Sequence, residues 1–322
     1  MKKNQPLLTI AIPTYNRAKI LKIALEKLLP QILPYSDKIE IVISNNASKD
    51  ETEKIIDWAK TNYPELDFVI FSHRENTGYF GNFWKCRELS NGKYLWILSD
   101  NDHINEGTLD LIVSTLLKHN DIAAIYLHSF GNNNVLDNFE IINFEDIKEK
   151  HSEYALMLIS AVIIYNDKSD DRKFFFEFKD NSFIGFLFFL QSLKFSKKIV
   201  IIKKPIFFQY PTKVTFDIFK AWIEDISQCI KYAESTKIIS SEAINFLVNG
   251  FLERVVIHHV KTYLTYGKIL GKKYGKKQEL LKRLDKYYKN FEFYQKEIRP
   301  IFFKSRFNLI ISSLLDKVVK KI

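Results

Sequence analysis

Asp100, Asn101 and Asp102 follow directly on the apolar run Tyr94–Leu98, so a segment built for burial delivers two carboxylates, one residue apart, to its end. In an extended or turning backbone alternate residues point the same way, so both acids can address one ligand while Asn101 faces elsewhere. Carboxylate oxygens, completed by phosphate oxygens, are the donors that Mg²⁺ or Mn²⁺ prefers. The same residues also suit a solvated turn and a helix N-cap before "EGTLDLIVSTLL", and the Asp-x-Asp pattern alone leaves both readings open.

Three other polar clusters stand in comparable places: "PTYNR" (Pro13, Thr14, Tyr15, Asn16, Arg17), "SNNASKD" with Asn45 and Asn46, and "HRENTGYFGN" with Asn76, Gly78 and Asn82. Each has an ordinary explanation as turn chemistry: Pro13 ending a strand, Asn16 capping the next helix, the asparagines closing a strand-to-helix loop. The usual nucleotide fingerprints are missing. No G-x-G-x-x-G follows the first apolar run and no G-x-x-x-x-G-K-[ST] occurs, so any phosphate must be held by other means. His151, His258 and His259 form no recognisable triad or metal spacing.

These clusters matter because of the elements that would carry them. "LLTIAIPTY", "KIEIVIS", "LDFVIFS", "YLWIL" and "IAAIYLH" read as buried strands. Helical spacing separates them in "AKILKIALEKLLPQI" (closed by Pro30 and Pro34), "KDETEKIIDWAKTNY", about Tyr79 to Leu89 and about Glu106 to Lys118. Alternation of this kind predicts right-handed βαβ crossovers and an α/β fold with a mainly parallel sheet covered on both faces. Ligands of such sheets bind at the carboxyl ends of the strands, and all four polar clusters fall there.

The pattern changes after residue 128. "GNNN" and "DNFEIINFEDIKEK" read as a loop and an extended excursion, then come "YALMLISAVIIYN", a helix "SFIGFLFFLQSLKF" and a strand "KIVIIKKPIFFQYP". From 216 the periodicity is helical and the charge basic: Arg254 to Ile322 holds 18 Lys and Arg against 5 acids, more than the whole chain's net +10. The organisation expected is 1–128, 129–215 and 216–322, in a chain of ordinary globular composition, 46% apolar and 27% charged. Cys86 and Cys229 offer neither a disulfide framework nor a zinc spacing. The basic start is followed by an apolar run too short for a signal peptide, and "SFIGFLFFLQSLKF" is well short of the ~20 residues that span a bilayer.

In order and spacing, "TIAIPTYNR", "IEIVISNNASKDET" and "NTGYFGNFWKCRELSNGKYLWILSDND" resemble the donor-binding half of family 2 glycosyltransferases with the GT-A fold, and more narrowly the abequosyltransferase-like branch that builds bacterial surface polysaccharides. The resemblance covers about the first 125 residues. It implies a Rossmann-like mixed sheet: residues 1–128 as the nucleotide-sugar half, 129–215 as the acceptor half and 216–322 as a helical extension. Pro13, Thr14, Tyr15, Asn16 and Arg17 would lie under the nucleotide, with the Tyr15 ring free to stack on the base. Asn45 and Asn46 stand where the family usually has an Asp that accepts from uracil N3–H; an amide can serve uracil or cytosine. Gly78 would allow close backbone approach, with Asn76 and Asn82 nearby and helix amides favouring an anion. Asp100 and Asn101 would meet the donor, and Asp102 with Asp100 would hold Mn²⁺ or Mg²⁺.

The implied reaction is an inverting sugar transfer from a nucleotide donor, a UDP-sugar being favoured, to a hydroxyl of a glycan or lipid-linked glycan such as lipopolysaccharide, lipooligosaccharide, O-antigen or capsule. Asp180, before the apolar helix of the acceptor half, is the candidate base, with plain helix capping as its alternative and Glu153 and Asp217 as weaker candidates. "FKSRFNLIISSLLDKVVKKI" can form an amphipathic helix, with Phe307, Ile310, Ile311, Leu314, Leu315 and Val318 near one face and Lys317, Lys320 and Lys321 toward the other. Such a helix suits an anionic membrane surface, packing on the domain or an oligomer contact. The expected location is cytoplasmic, peripheral on the inner membrane face, with no nucleic-acid partner. Competing functions are another nucleotide-diphosphate-dependent transferase, or a non-catalytic basic protein that binds anionic lipid or nucleic acid.

Overall fold

The computed structural model describes residues 5–127, 139–146, 159–169, 171–203, 206–209, 217–267, 269, 276–305 and 308–309. By internal contacts the chain divides into two compact units, one formed by Met1–Phe144 with Met157–Lys213, the other by Glu145–Leu156 with Val214–Ile322.

The first unit begins with the expected alternation: β1 (Leu8–Thr14), α1 (Ala18–Ile32), β2 (Ile39–Asn45), α2 (Thr52–Asn62), β3 (Asp67–Ser72), α3 (Gly78–Leu89) and β4 (Tyr94–Ile97). It continues through β5 (Asp102–Ile104), α4 (Thr108–Lys118), β6 (Ala124–Leu127), β7 (Phe139–Asn143), β8 (Val162–Tyr165), α5 (Asp171–Phe178), α6 (Ile184–Ser192), β9 (Lys198–Ile202) and β10 (Phe207–Gln209). Eight strands form one sheet in the order β3-β2-β1-β4-β8-β6-β9-β7. From β3 to β4 every pairing is parallel, whereas β8 runs antiparallel to both β4 and β6, and β7 antiparallel to β9. The sheet is therefore mixed rather than mainly parallel. An apolar run reports that both faces are covered, and that requirement is the same for either strand direction.

Coverage explains the composition of the central strands. Leu8, Ile10 and Ile12 of β1 and Ile41, Val42 and Ile43 of β2 are all at most 1% exposed, each contributing about 1.5–3 kcal/mol of burial. α1 supplies a matching stripe, Leu21, Ala24, Leu25, Leu28, Leu29 and Ile32. Pro30 lies inside this helix rather than closing it. In the last turn its missing N–H removes one bond near an end that frays anyway, and the helix passes into a 3₁₀ turn at Leu33–Tyr35.

One buried acid is held inside the sheet. Glu40 of β2 accepts from Thr9 Oγ1 at 2.7 Å and from the Asn91 backbone N–H and Nδ2 at 2.8 and 2.7 Å. Gly92 donates to the same Thr9 hydroxyl at 2.8 Å, and a Cβ at residue 92 would come within 2.5 Å of the Thr9 backbone nitrogen. These bonds tie the start of β4 to β1 and β2 and so fix the level at which the strands end.

That level is common to three strands. The parallel registers set Thr14 opposite Asn45, and Asn45 opposite Ser72. Leu98 extends β4 by donating to Ala11 O at 2.9 Å. Past this edge the acidic segment makes a short strand not expected from the sequence: β5 pairs antiparallel with β10, Asp102 opposite Gln209. α4 then starts at Thr108, after Gly107 in a left-handed conformation, φ 73°.

The second unit is helical among its described residues, with α7 (Ile226–Thr236), α8 (Ser241–Phe251), α9 (Ile257–Tyr266) and α10 (Lys277–Tyr288). Wider π turns at Lys220–Asp225, Leu252–Val256 and Tyr294–Ile298 adjoin them. No helix of the described residues is long and apolar enough to cross a membrane. The "GNNN" loop, His151, Glu153 and the residues named for the amphipathic tail, Phe307 and Ile310 onward, lie outside the described residues.

Candidate active site

The first strand-end loop is organised around Asp100. Thr14, the last residue of β1, donates through Oγ1 to Asp100 Oδ2 at 2.8 Å, and Arg17 Nη1 donates to Asp100 Oδ1 at 2.7 Å. Both carboxylate oxygens are thus engaged within the chain. Burial pushes the Asp100 carboxyl up, against the pull of Arg17 and the Thr14 hydroxyl. The charge-assisted pair holds the carboxylate in place where solvent cannot. The Arg17 side chain is 36% exposed against 3% for Asp100, so the guanidinium bridges a buried acid to the open edge. Tyr15 is exposed and Pro13 buried.

Asn16 takes the left-handed conformation, φ 52°, which asparagine tolerates better than most residues. It does not cap α1. Its N–H donates to Ser48 Oγ at 2.9 Å and its Oδ1 accepts from Lys49 N–H at 2.6 Å. The start of α1 is capped from the neighbouring loop, where Asp50 Oδ2 accepts from Ala18 N–H at 2.9 Å while Oδ1 serves Thr52, the first residue of α2.

The second and third loops are welded by one amide. Asn46, 3% exposed, donates through Nδ2 to Asn76 Oδ1 at 2.9 Å and to Gly78 O at 3.1 Å. Its Oδ1 accepts from Thr77 N–H at 2.9 Å and Thr77 Oγ1 at 3.0 Å. All four hydrogen-bonding positions of the amide are used. Asn76 Oδ1 also accepts from Gly78 N–H at 2.8 Å, Gly78 having φ 74° where a side chain would be strained. Asn82, buried on α3, donates to Thr14 O at 3.3 Å and so links the third loop to the first.

Asn45 differs from its neighbour. Its Oδ1 accepts from Ser48 N–H at 3.1 Å, a backbone donor that can meet only the oxygen. Among the described residues Nδ2 makes no hydrogen bond, so a ligand at this edge meets a donor where a carboxylate would offer an acceptor. Nearby, burial keeps the His73 imidazole below its ordinary pKa, with Lys85 adding to the effect, and Ser44 Oγ lies 3.3 Å from its Nε2.

Asp102, Asn101 and His103 are buried, at 3%, 4% and 1% exposure. Asn101 Oδ1 accepts from Ser99 Oγ at 2.6 Å. Burial also holds the His103 imidazole below its usual pKa. Among the described residues no group of three or more His, Cys, Asp or Glu could hold an ion alone. Two hard oxygen donors with no sulfur nearby fit Mg²⁺ or Mn²⁺ only when a ligand's phosphate oxygens complete the shell.

Thr14, Arg17 and Asp100 are brought together, as are Asn46, Asn76 and Gly78. Asp180 is exposed in the turn between α5 and α6. Beside it, Asn181 Oδ1 accepts from Phe183 N–H at 2.7 Å just before α6. Asp217 belongs to the second unit and receives Lys220 N–H at 2.9 Å as a helix cap. Ser48, Asp50 and Thr77 hold the loops together and were not picked out from the sequence. The spacing from Asp50 to Thr52 before a helical run is an N-terminal signal that could have found the second of them.

A family model described as Glycosyl transferase family 2 matches residues 9–192. Abequosyltransferase RfbV of Salmonella typhimurium is 36% identical over 118 residues, 36% of this chain and 34% of the relative. A GalNAc(5)-diNAcBac-PP-undecaprenol beta-1,3-glucosyltransferase of Campylobacter jejuni is 26% identical over 127 residues, 39% of this chain and 38% of the relative. The chain thus spans a little over a third of the length of either. Among solved structures, S. aureus TarS 1–349 in complex with UDP-GlcNAc superposes with TM-score 0.62 at 14% identity, over 87% of this chain and 80% of that one. The mannosyltransferase PcManGT of Pyrobaculum calidifontis, in complex with GDP-Man and Mn²⁺, gives 0.56 at 13% identity, over 97% and 88%. These likenesses carry the fold: the mixed sheet is the GT-A arrangement.

Proposed function

The chain belongs to glycosyl transferase family 2, and from that premise we propose that it is an inverting, divalent-cation-dependent transferase that moves a sugar from a nucleotide-diphosphate donor to a hydroxyl of a bacterial surface glycan. The observation that carries the reading is the buried clamp of Thr14, Asp100 and Arg17 beside Asp102, at the carboxyl edge of the parallel half of the sheet. A merely structural ion pair has no need of a second buried acid two residues on.

The geometry supports a role for each of these residues. Tyr15 offers an exposed ring to the base, and Asn45 offers its amide N–H groups to the base edge. Arg17 keeps donors beyond the one given to Asp100 for a phosphate, and the first amides of α3 favour an anion. Asp102 would hold Mn²⁺ or Mg²⁺ together with the diphosphate, and the ion when bound supplies positive charge where the leaving group becomes anionic. Asp100 positions this corner through Thr14 and Arg17, and the second lone pair on each of its oxygens leaves it as the other acid that would hold the ion.

In the transfer itself the acceptor oxygen attacks the anomeric carbon as the bond to the diphosphate breaks, its electron pair leaving with the phosphate. Asp180 accepts the hydroxyl proton. Attack opposite to departure gives inversion. The setting is the cytoplasmic face of the membrane, where a lipid-linked acceptor is presented. Calorimetric titration with UDP-, dTDP-, GDP- and CDP-sugars, with and without Mn²⁺, tests the reading: one should bind, more tightly with the ion. Failure of all four to bind would remove the donor site.

A further inference from the structure

Tyr79 is the second residue of α3, directly after Gly78. Side chains of a helix lean toward its N-terminus, so a residue of the first turn reaches past the helix start. α3 starts at the carboxyl edge of the sheet, where Gly78 O accepts from Asn46 Nδ2 at 3.1 Å, and Tyr79 therefore leans out over that edge. Asn82, three residues on and on the same side of the helix, donates to Thr14 O at 3.3 Å, so that side of α3 faces the end of β1.

The Tyr79 ring is covered on one face and open on the other. Phe83, one turn further and 5% exposed, lies 4.1 Å from it between ring centres, with 35° between the planes. Tyr79 is nevertheless 52% exposed. Its hydroxyl end is held differently: burial, and after it the Asp102 charge, push the hydroxyl above its ordinary pKa. The hydroxyl is thus turned inward on the Asp102 side, and the open surface is ring. An aromatic pair made only to cover the helix would have no reason to carry its hydroxyl toward a buried acid of another loop.

We propose that Tyr79 is a specificity-determining residue of the donor site, its open face being the wall on which the sugar of the nucleotide donor packs. The proposal rests on the reading of this edge as a nucleotide-sugar site. In that reading Tyr15 and Asn45 serve the base, while Arg17 and the ion at Asp102 serve the diphosphate. The sugar is the part of the donor that still needs a surface, and it is attached to the phosphate that the ion meets. A pyranose carries C–H groups on its faces and hydroxyls around its rim. An aromatic face covers the C–H groups and leaves the rim hydroxyls to polar partners.

The test is calorimetric titration of the full chain, with Mn²⁺ present, using UDP-, dTDP-, GDP- and CDP-sugars and the matching free nucleoside diphosphates. Parent, Tyr79→Ala and Tyr79→Phe are compared. Tyr79→Ala should bind the nucleotide sugar about tenfold more weakly, the scale for uncovering one ring face, and the free diphosphate within about twofold of the parent. Tyr79→Phe should match the parent for both ligands, since the face and not the hydroxyl makes the contact. If Tyr79→Ala fails to fold, Tyr79→Leu, which still covers Phe83 but presents no flat face, decides by the same comparison. An equal loss for nucleotide sugar and free diphosphate would overturn the proposal, because the ring would then serve the nucleotide or merely hold α3. So would an unchanged nucleotide-sugar affinity in Tyr79→Ala, or a Tyr79→Phe as weak as the alanine variant. A parent that binds none of the nucleotide sugars would remove the donor site itself, whereas a parent that binds beside an unaffected Tyr79→Ala removes only the role of Tyr79.

Discussion

Asn46→Asp is nearly isosteric and changes the weld between the second and third loops without changing its shape. The carboxylate keeps an oxygen for Thr77 N–H and Oγ1, but it loses the donors to Asn76 Oδ1 at 2.9 Å and Gly78 O at 3.1 Å and sets an oxygen against those two acceptors. Two lost bonds at about 1 kcal/mol each, plus an unsatisfied buried acceptor at about 1–3 kcal/mol, give about 3–5 kcal/mol against the closed loop arrangement. If half of that reaches binding, nucleotide affinity falls about ten- to a hundredfold, each decade being about 1.4 kcal/mol. Titration calorimetry with CDP, UDP and GDP should show the same factor for all three, because a loop fastener does not read the base. Unchanged affinity, or a loss confined to one nucleotide, would refute the assignment.

Three further outcomes concern Asn45, Asp180 and Asp50. Asn45→Asp replaces a donor by an acceptor and should shift the ratio of CDP to UDP affinity toward UDP by about tenfold; an unmoved ratio in competition titrations would separate Asn45 from the base. Asp180→Asn should slow transfer by about a hundredfold or more while leaving nucleotide affinity within about twofold, and a rate equal to the parent's would eliminate Asp180 as the base. Asp50→Ala removes the acceptor for Ala18 and Thr52 and should cost about 2 kcal/mol in urea unfolding at neutral pH. Burial raises the Asp50 carboxyl, but its hydrogen bonds outweigh this and hold it below the usual value. Its contribution is therefore full above the ordinary carboxylate pKa of about 4 and lost as pH falls through the lowered one, so parent and variant should converge in acid; a gap that persists there would contradict the capping role.

Strand and helix order in the first 125 residues was legible because buried strands and amphipathic helices have different periods, and because strand ends collect polar residues. Strand direction was not: β8 and β6 are alike in apolar content yet antiparallel. β5 was hidden because three residues beginning with an acid carry no strand pattern, and its pairing with β10 joins positions about a hundred residues apart. Within the candidate site, residue types pointed to the four loops as a group but not to the division of hydrogen bonds inside them. Asn45 and Asn46 are identical in type, and only the partners that the fold brings to them, Asn76, Thr77 and Gly78 around one and Ser48 beside the other, saturate one amide and leave the other with N–H groups to offer. Similarly, Asp100 and Asp102 share a motif, while Thr14 and Arg17, more than eighty residues earlier, claim both oxygens of the first.

Sugar transfer from a nucleotide donor at this edge depends, in the proposed reading, on the corner built on Asp102. The most direct measurement is the initial rate of nucleoside diphosphate release from UDP-, dTDP-, GDP- and CDP-sugars, by the parent chain and by Asp102→Ala, with and without Mn²⁺. Release from at least one donor should require the ion and fall by about a hundredfold or more in the variant. Release at the same ion-dependent rate by Asp102→Ala would contradict that reading.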